Sequence, residues 1–331
     1  MTAASLAPPA TLSHVLGELL ESASRKELRE RARRISEGFR AGADSKETIR
    51  DETDALAYAL TRLPATYAAA AAVLRRLREE IPDFAPQSLL DAGCGLGSGA
   101  AAALETWPNI ASVALVDRSP PFLALARQLA GASAQAAMAN GTFVDADLTA
   151  LPADLAKADL VLASYALTEI ADDAMSGVLD GLWARCREAL VVVEPGTPRG
   201  WSRLMRLRGL LIAAGATIAL PCPHEASCPL AAPDWCHFAA RLPRSRDHKA
   251  LKSAEAPFED EKFSYLVALK GTTPARGARL IAPPRQFKWG ARLRLCARDG
   301  LGETNTLRRD KANFKSLRSC VWGDNIRIEE P

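Results

Sequence analysis

A cluster of glycines about a quarter of the way along the chain restricts the fold more than any other feature. Leu89-Leu90-Asp91-Ala92-Gly93-Cys94-Gly95-Leu96-Gly97-Ser98-Gly99 joins a short apolar run and an acid to alternate glycines at the start of a helical segment. Glycine lets the backbone turn sharply and approach a ligand closely, and the helix N-terminus behind it offers unpaired N–H groups. Further short apolar runs, each closed by small or acidic residues, fall at 112–116, 142–144, 159–163 and 189–193, the first being 88–90. Helical segments at 98–105, 120–129, 169–188 and 198–214 separate them. This alternation predicts parallel strands with crossover helices, a doubly wound α/β sheet. The runs are continuous rather than alternating because such strands are buried on both faces.

The ligand of the glycine turn follows from its acids. Asp117 ends the second strand, where a carboxylate can accept hydrogen bonds from both hydroxyls of a ribose, so the turn is expected to hold a nucleoside-containing ligand. A dinucleotide fingerprint needs a third glycine at 98 or 100, where Ser98 and Ala100 stand. The pattern D-x-G-x-G-x-G from Asp91 to Gly97 instead resembles the first motif of the Rossmann-like S-adenosylmethionine-dependent methyltransferases. That resemblance implies cofactor roles for Asp91, Gly93, Gly95, Gly97 and Asp117, and for Asp147 beside the adenine amino group. Strand four ends Ala163-Ser164-Tyr165-Ala166-Leu167-Thr168-Glu169, without an Asn-Pro-Pro-Tyr type cluster or a Pro-Cys to activate an acceptor. Tyr165 and Glu169 either line the pocket or serve as packing and as a helix-start acid. No catalytic residue is assigned.

Residues 11–80 read as helices: an apolar stripe at Leu16, Leu19 and Leu20, a charged helix over 25–40, and a second pattern over 46–80 that Pro64 should end or kink. No apolar run approaches the roughly 20 residues of a membrane span, so no membrane partner is expected. The first 20 residues lack a basic n-region, and seven cysteines are an odd number for a disulfide framework. A reducing, cytoplasmic location is the resulting expectation.

Three of those cysteines crowd into 217–246, a proline-rich stretch without lasting periodicity that reads as a long loop. Cys222, Cys228 and Cys236 in such a loop suggest a metal centre that supplies the ordering energy. Zinc with a fourth Cys or His and an iron–sulfur cluster on four cysteines both remain open. His224, His237, Cys296 and Cys320 are the candidates for the fourth ligand, while His248 reads as a surface residue.

Pro221-Cys222-Pro223-His224, Cys228-Pro229-Leu230, Trp235-Cys236-His237-Phe238, the stretch from Phe258 to Leu266 and Trp322-Gly323-Asp324 carry a more specific likeness. Together they resemble the methyltransferase-like assembly factors of the mitochondrial small ribosomal subunit and their bacterial relatives. The resemblance implies a methyltransferase fold with a 4Fe–4S cluster, associated with the small ribosomal subunit and its rRNA. It carries the ligand positions onto Cys222, Cys228, Cys236 and Cys296. An additional thiol, Cys320, competes for the fourth position.

Charge agrees with an RNA partner. The net value is only +3. Up to Gly200, however, nineteen basic residues meet twenty-six acidic ones, whereas twenty-three meet thirteen after it, giving −7 and +10. Arg203, Arg206 and Arg208 on the helix after strand five, Arg292 and Arg294 on one strand face, and Arg308, Arg309, Lys311, Lys315 and Arg318 are the expected phosphate contacts. No DNA partner is expected.

The sequence therefore predicts an α/β protein with a Rossmann-like S-adenosylmethionine methyltransferase sheet, a helical N-terminal cap, a Cys-rich metal-binding insertion and a small β-rich basic C-terminal part. The expected boundaries are 1–84 for the cap, 85–216 for the cofactor-binding core, 217–262 for the insertion, and 263–331 for the final strands and basic extension. The expected function is rRNA-binding assembly or maturation of the small ribosomal subunit. An active rRNA methyltransferase and a small-molecule methyltransferase with structural zinc are the alternatives.

Overall fold

The computed structural model describes residues 6–252, 254–271, 277–311, 314, 317 and 319–326. Lys315 and Arg318 lie outside them. The chain forms two compact units: 1–194 with 240–261, and 195–239 with 262–331. Among the described residues no helix is long and apolar enough to cross a membrane.

The first unit opens with helices α1 (Ala10–Glu21), α2 (Arg25–Ala41), α3 (Ser45–Thr48), α4 (Glu52–Thr61) and α5 (Leu63–Glu80). Ser24, Asp44 and Asp51 cap α2, α3 and α4 by accepting a backbone N–H three residues on. Pro64 sits in the first turn of α5, where its missing N–H costs nothing, so the expected break falls just ahead of it at Arg62. Arg31 and Arg34 both bind the fully buried Asp54 and tie α2 to α4. Although burial pushes the Asp54 carboxyl up, these two guanidiniums hold it below its ordinary range.

Strands and helices then alternate: β1 (Ser88–Ala92), α6 (Ser98–Thr106), β2 (Ser112–Asp117), α7 (Pro120–Gly131), α8 (Ala136–Ala139), β3 (Thr142–Asp145), β4 (Ala158–Ser164), α9 (Met175–Arg185) and β5 (Cys186–Pro195). The five strands run parallel in the order β3-β2-β1-β4-β5, with Asp91 opposite Leu115 on one side and Leu162 on the other. The order reverses between β1 and β4, and ligands of such sheets bind beyond the strand ends at that reversal. Leu12, Leu16, Leu28, Ile35 and Leu63 share one apolar cluster with Leu96 of the glycine turn and Phe122 of α7. The helical N-terminus is thus packed around the turn itself.

One expected helix is shorter than the sequence suggests. The 169–188 segment narrows to α9, because Leu167–Glu169 forms a single 3-10 turn and Cys186 already begins β5.

In the second unit α10 (Pro198–Ala213) precedes β6 (Thr217–Leu220). Next come β7 (Phe238–Pro243), α11 (Arg246–Lys252) and β8 (Phe258–Leu269), the chain belonging to the first unit over 240–261. β6 pairs antiparallel with the end of β8, Ile218 opposite Ala268. The stretch expected as an uninterrupted loop is therefore bounded by strands. In β7 the burial alternates strictly, with Phe238, Ala240 and Leu242 inside, but a period-two signal of six residues is lost beside so many prolines. A second sheet holds β9 (Ala278–Leu280), β10 (Arg285–Phe287), β11 (Gly290–Ala297), β12 (Gly300–Leu307) and β13 (Asn325–Ile326), ordered β10-β11-β9-β13 with β12 also on β11. Leu280, Leu293, Leu295 and Ile326 form its core. β10 and β12 lack the apolar alternation that announces a strand and are held by pairing with β11.

His248 departs from its expected surface position. It is 2% exposed, with Nε2 3.4 Å from Glu259, which also binds Lys252 at 2.7 Å and Arg244 at 3.1 Å. Its place on the inner side of α11, a helix the sequence did not announce, explains the difference.

Candidate functional site

The glycine turn owes its shape to its hydrogen bonds. Gly93 and Cys94 both donate to the Val116 carbonyl, at 2.8 and 2.9 Å, so the chain doubles back across the end of β2. Gly93, Gly95 and Gly97 all adopt positive φ. A Cβ on Gly93 would lie 2.4 Å from that of Ala166, which rules out a side chain there on space as well as conformation. Gly97 caps α6, and Asp91 Oδ2 accepts the Ala100 N–H at 2.8 Å. Asp91 is 1% exposed, and burial pushes its carboxyl up to about 7.

Asp117 is fixed by two backbone donors, Gly95 to Oδ2 at 2.7 Å and Ser119 to Oδ1 at 2.9 Å. Each oxygen keeps a lone pair for a further donor. Burial raises this carboxyl, although both N–H groups oppose it. Asp147 Oδ1 accepts the N–H and hydroxyl of Thr149, and Oδ2 meets Arg118 at 3.1 Å. Burial pushes Asp147 up, but these bonds prevail and hold it below the ordinary carboxylate range.

Arg118, which no sequence motif singled out, joins the acids around the glycine turn. Its guanidinium also reaches Asp44 at 2.6 Å and Glu169 at 3.4 Å, and Glu169 in turn accepts Ser45 N and Oγ at 3.1 and 2.7 Å. The only clue in sequence is its place immediately after Asp117. Glu169 sits in the 3-10 turn Leu167–Glu169 and also belongs to an ion cluster beside the strand ends. Tyr165 has φ +59, a costly conformation for a side-chain-bearing residue, and donates its hydroxyl to Glu261 at 2.9 Å. Glu261 is also bound by Arg62 at 3.1 Å, and burial first, then the Glu261 charge, pushes the Tyr165 phenol well up.

A second site lies in the other unit. Cys222, Cys228, Cys236 and Cys296 line one cavity of about 520 Å³, counting the part open to solvent. Cys320 is not in its lining; it packs on the core of the small sheet. His224 shares the cavity, its Nε2 3.7 Å from Cys296 Sγ, whereas His237 stacks on Trp235 at 5.0 Å and meets Trp322 edge-on. Ser264 Oγ holds the Cys236 carbonyl at 2.7 Å.

Two buried guanidiniums flank the cavity. Arg208 donates to the carbonyls of His224 and Ala226, and Arg279 to those of Pro221 and Gly323. Burial pushes the Cys222 thiol up while Arg208 opposes it; Cys236 is driven well up, and Cys296 to about 12. Burial is the largest cause in each, and the neighbouring cysteines add to it for Cys236 and Cys296. Among the described residues no three His, Cys, Asp or Glu side chains close on a single point as a lone metal ion requires.

Burial also corrects part of the expected basic surface. Arg203 and Arg208 are 8% and 5% exposed, so only Arg206 of that trio faces solvent. They lie on the apolar side of α10, beside Leu204, Leu207 and Leu211.

Comparison with known proteins places this geometry in context. The family described as "Mitochondrial small ribosomal subunit Rsm22" matches residues 52–327. The human "Ribosome assembly protein METTL17, mitochondrial" is 29% identical over 294 residues, covering 83% of this chain and 63% of the relative. The fission yeast "Rsm22-cox11 tandem protein 2, mitochondrial" is 26% identical over 339 residues, covering 86% and 44%. The chain thus spans less than two thirds of these relatives. Among solved structures, magnesium protoporphyrin IX methyltransferase from Synechocystis PCC 6803 is 16% identical with a TM-score of 0.42, covering 63% of this chain and 85% of that one. N-methyltransferase NodS from Bradyrhizobium japonicum WM9 is 12% identical with a TM-score of 0.41, covering 64% and 89%.

The cytoplasmic expectation is overturned by these relatives, which are mitochondrial proteins, as is the family by its description. An odd number of thiols constrains the redox environment and carries no information about which reducing compartment provides it.

Proposed function

The chain belongs to the Rsm22 family of the mitochondrial small ribosomal subunit, and from that membership we propose that it is an assembly or maturation factor of the small ribosomal subunit. In this reading it binds the subunit's rRNA, carries an iron–sulfur cluster on Cys222, Cys228, Cys236 and Cys296, and retains a pocket for S-adenosylmethionine. The observation that carries the reading is the gathering of those four cysteines around one cavity, inside the span that matches the family.

The donor set suits a cluster. Four thiolates around a 4Fe–4S core leave a net negative charge, and the buried guanidiniums of Arg208 and Arg279 are the cations that offset it. A zinc reading would need only the same four thiolates, at about 2.3 Å from one ion; the cluster is preferred on the family resemblance of the cysteine pattern. Binding must displace the thiol protons that burial retains.

For the cofactor, the Gly93 to Gly97 turn supplies a close backbone approach, Asp117 two free lone pairs for ribose, Asp91 an acid for an ammonium group, and Asp147 an acceptor for an amino group. S-Adenosylmethionine bound there would supply an electrophilic methyl group. The acids closest to the β4 end, Glu169 after β4 and Glu261 in β8, are already engaged: Glu169 with Ser45 and Arg118, Glu261 with Tyr165 and Arg62. The pocket is therefore read as structural or regulatory.

Co-sedimentation of the full chain with purified small and large subunits, prepared without oxygen and supplied with methyl-labelled cofactor, tests the proposal. Association with small subunits alone, without label in rRNA, is expected. Label transferred to rRNA would establish the methyltransferase alternative, and no association with either subunit would sink the assembly reading.

A further inference from the structure

The hairpin joining β10 to β11 exposes two aromatic rings to water. Phe287 and Trp289 are 38% and 40% exposed and stack on each other with centroids 4.9 Å apart and planes 5° from parallel. Rings kept for packing alone are buried, as Phe238 and Phe263 are in this unit. Arg292 lies 5.6 Å from the Phe287 centroid. Among the described residues no other ring or cation contacts Trp289, which keeps 40% of its surface in solvent.

Cations surround the pair. Arg285 stands opposite Arg292 in the β10–β11 register, and both line a concavity of about 580 Å³, counting the part open to solvent, with Arg294 and Glu303. Arg294 is paired with Asp234 at 2.7 Å and Arg292 with Glu303 at 3.8 Å. Arg285 and Lys288 have no carboxylate partner among the described residues. Exposed Arg308 and Arg309 follow β12, and the Arg308 N–H is bonded to the Trp289 carbonyl at 2.9 Å.

We propose that this hairpin is a binding site for single-stranded RNA, in which Trp289, backed by Phe287, stacks on an unpaired base while Arg285, Lys288 and Arg292 take the adjoining phosphates. The proposal rests on the rRNA-binding reading above and names its site and mode. A flat, solvent-exposed ring pair fits a base that has left its stack, because a duplex hides its base faces. The surrounding charge fits a phosphate backbone. An acidic protein segment would satisfy the arginines but leave the indole face without a planar partner.

The test is fluorescence anisotropy of the full chain with a labelled 12-nucleotide oligouridine and with a duplex RNA of equal length, across a salt series. The wild type is expected to bind the single strand more tightly. Trp289→Ala should weaken that binding about tenfold and leave duplex binding unchanged. Trp289→Phe, which keeps a ring at the position, should retain most of the affinity and controls for folding. Arg285→Gln should lower the slope of log affinity against log salt by about one. RNA binding that is salt-dependent but indifferent to Trp289→Ala overturns this site and leaves the rRNA reading standing. Failure of the wild type to bind either RNA overturns both, and displacement of the oligonucleotide by polyglutamate as readily as by unlabelled RNA reassigns the hairpin to an acidic protein.

Discussion

Arg118 Nη2 lies 2.6 Å from an Asp44 oxygen, so the residue after Asp117 fastens the loop ahead of α3 to the end of β2. The same guanidinium meets Asp147 and Glu169, and one cation therefore holds three carboxylates drawn from three segments. The N-terminal helices are in this way tied to the glycine turn and its acids, by charge as well as by the apolar contacts of Leu96 and Phe122.

Removing that cation leaves three like charges together. Arg118→Ala should destabilise the fold by about 1–2 kcal/mol. The loss should be smaller in 1 M salt than at low salt, because repulsion among the acids is screened. Melting curves at the two salt concentrations measure it, and an equal deficit at both would show that the loss is one of packing.

Asp91 makes the opposite case, a carboxyl that costs stability. Its carboxyl titrates near 7 when folded and near 3.9 when unfolded. The folded state thus holds the extra proton between those values, and stability falls as pH rises through that window. Asp91→Asn, which still accepts the Ala100 N–H, should be more stable than the wild type at pH 8 by about 2–4 kcal/mol, read as a higher melting temperature. The difference should vanish at pH 4. The same variant should bind S-adenosylmethionine at least about tenfold more weakly by calorimetry; unchanged affinity would remove Asp91 from the cofactor set.

Glu259 has the reverse sign. Burial pushes it up, but His248, Lys252 and Arg244 together hold it well below its ordinary value. The stabilisation is complete above the unfolded value of about 4.3 and is lost as pH falls below it. Glu259→Gln should cost about 1–3 kcal/mol at pH 7 and flatten the decline in melting temperature between pH 5 and pH 3. A variant profile parallel to the wild type would refute this assignment.

The cavity makes its own distinction among the cysteines. After anaerobic reconstitution, Cys236→Ser and Cys296→Ser should lose the visible absorption together with bound iron and sulfide. Cys186→Ser, in β5, and Cys320→Ser, beside the small-sheet core, should keep them. Loss on Cys320→Ser with retention on Cys296→Ser would reassign the fourth ligand, and a colourless protein containing zinc would overturn the cluster.

Much of the first unit was legible because its signals are local. Gly93, Gly95 and Gly97 are demanded by positive φ within one turn, and β1, β2, β4 and β5 announce themselves as continuous buried runs, whereas β3, at the sheet edge, is not buried on both faces as expected for it. The second unit was less so. β10 and β12 carry little apolar pattern and exist by pairing with β11, while Arg203 and Arg208 look like surface charge until α10 turns them inward.

By itself, then, the sequence determined the α/β sheet, the position of the glycine turn and the identity of the candidate thiols, since each depends on residues near one another in the chain. Tertiary structure decided which of the long-range partners meet. It brought Cys296 rather than Cys320 to Cys222, Cys228 and Cys236, set Arg118 among three distant acids, and left the stacked Phe287 and Trp289 exposed. Those outcomes depend on how separate segments pack, and no spacing along a chain records the direction in which a side chain will point once its neighbours have closed around it.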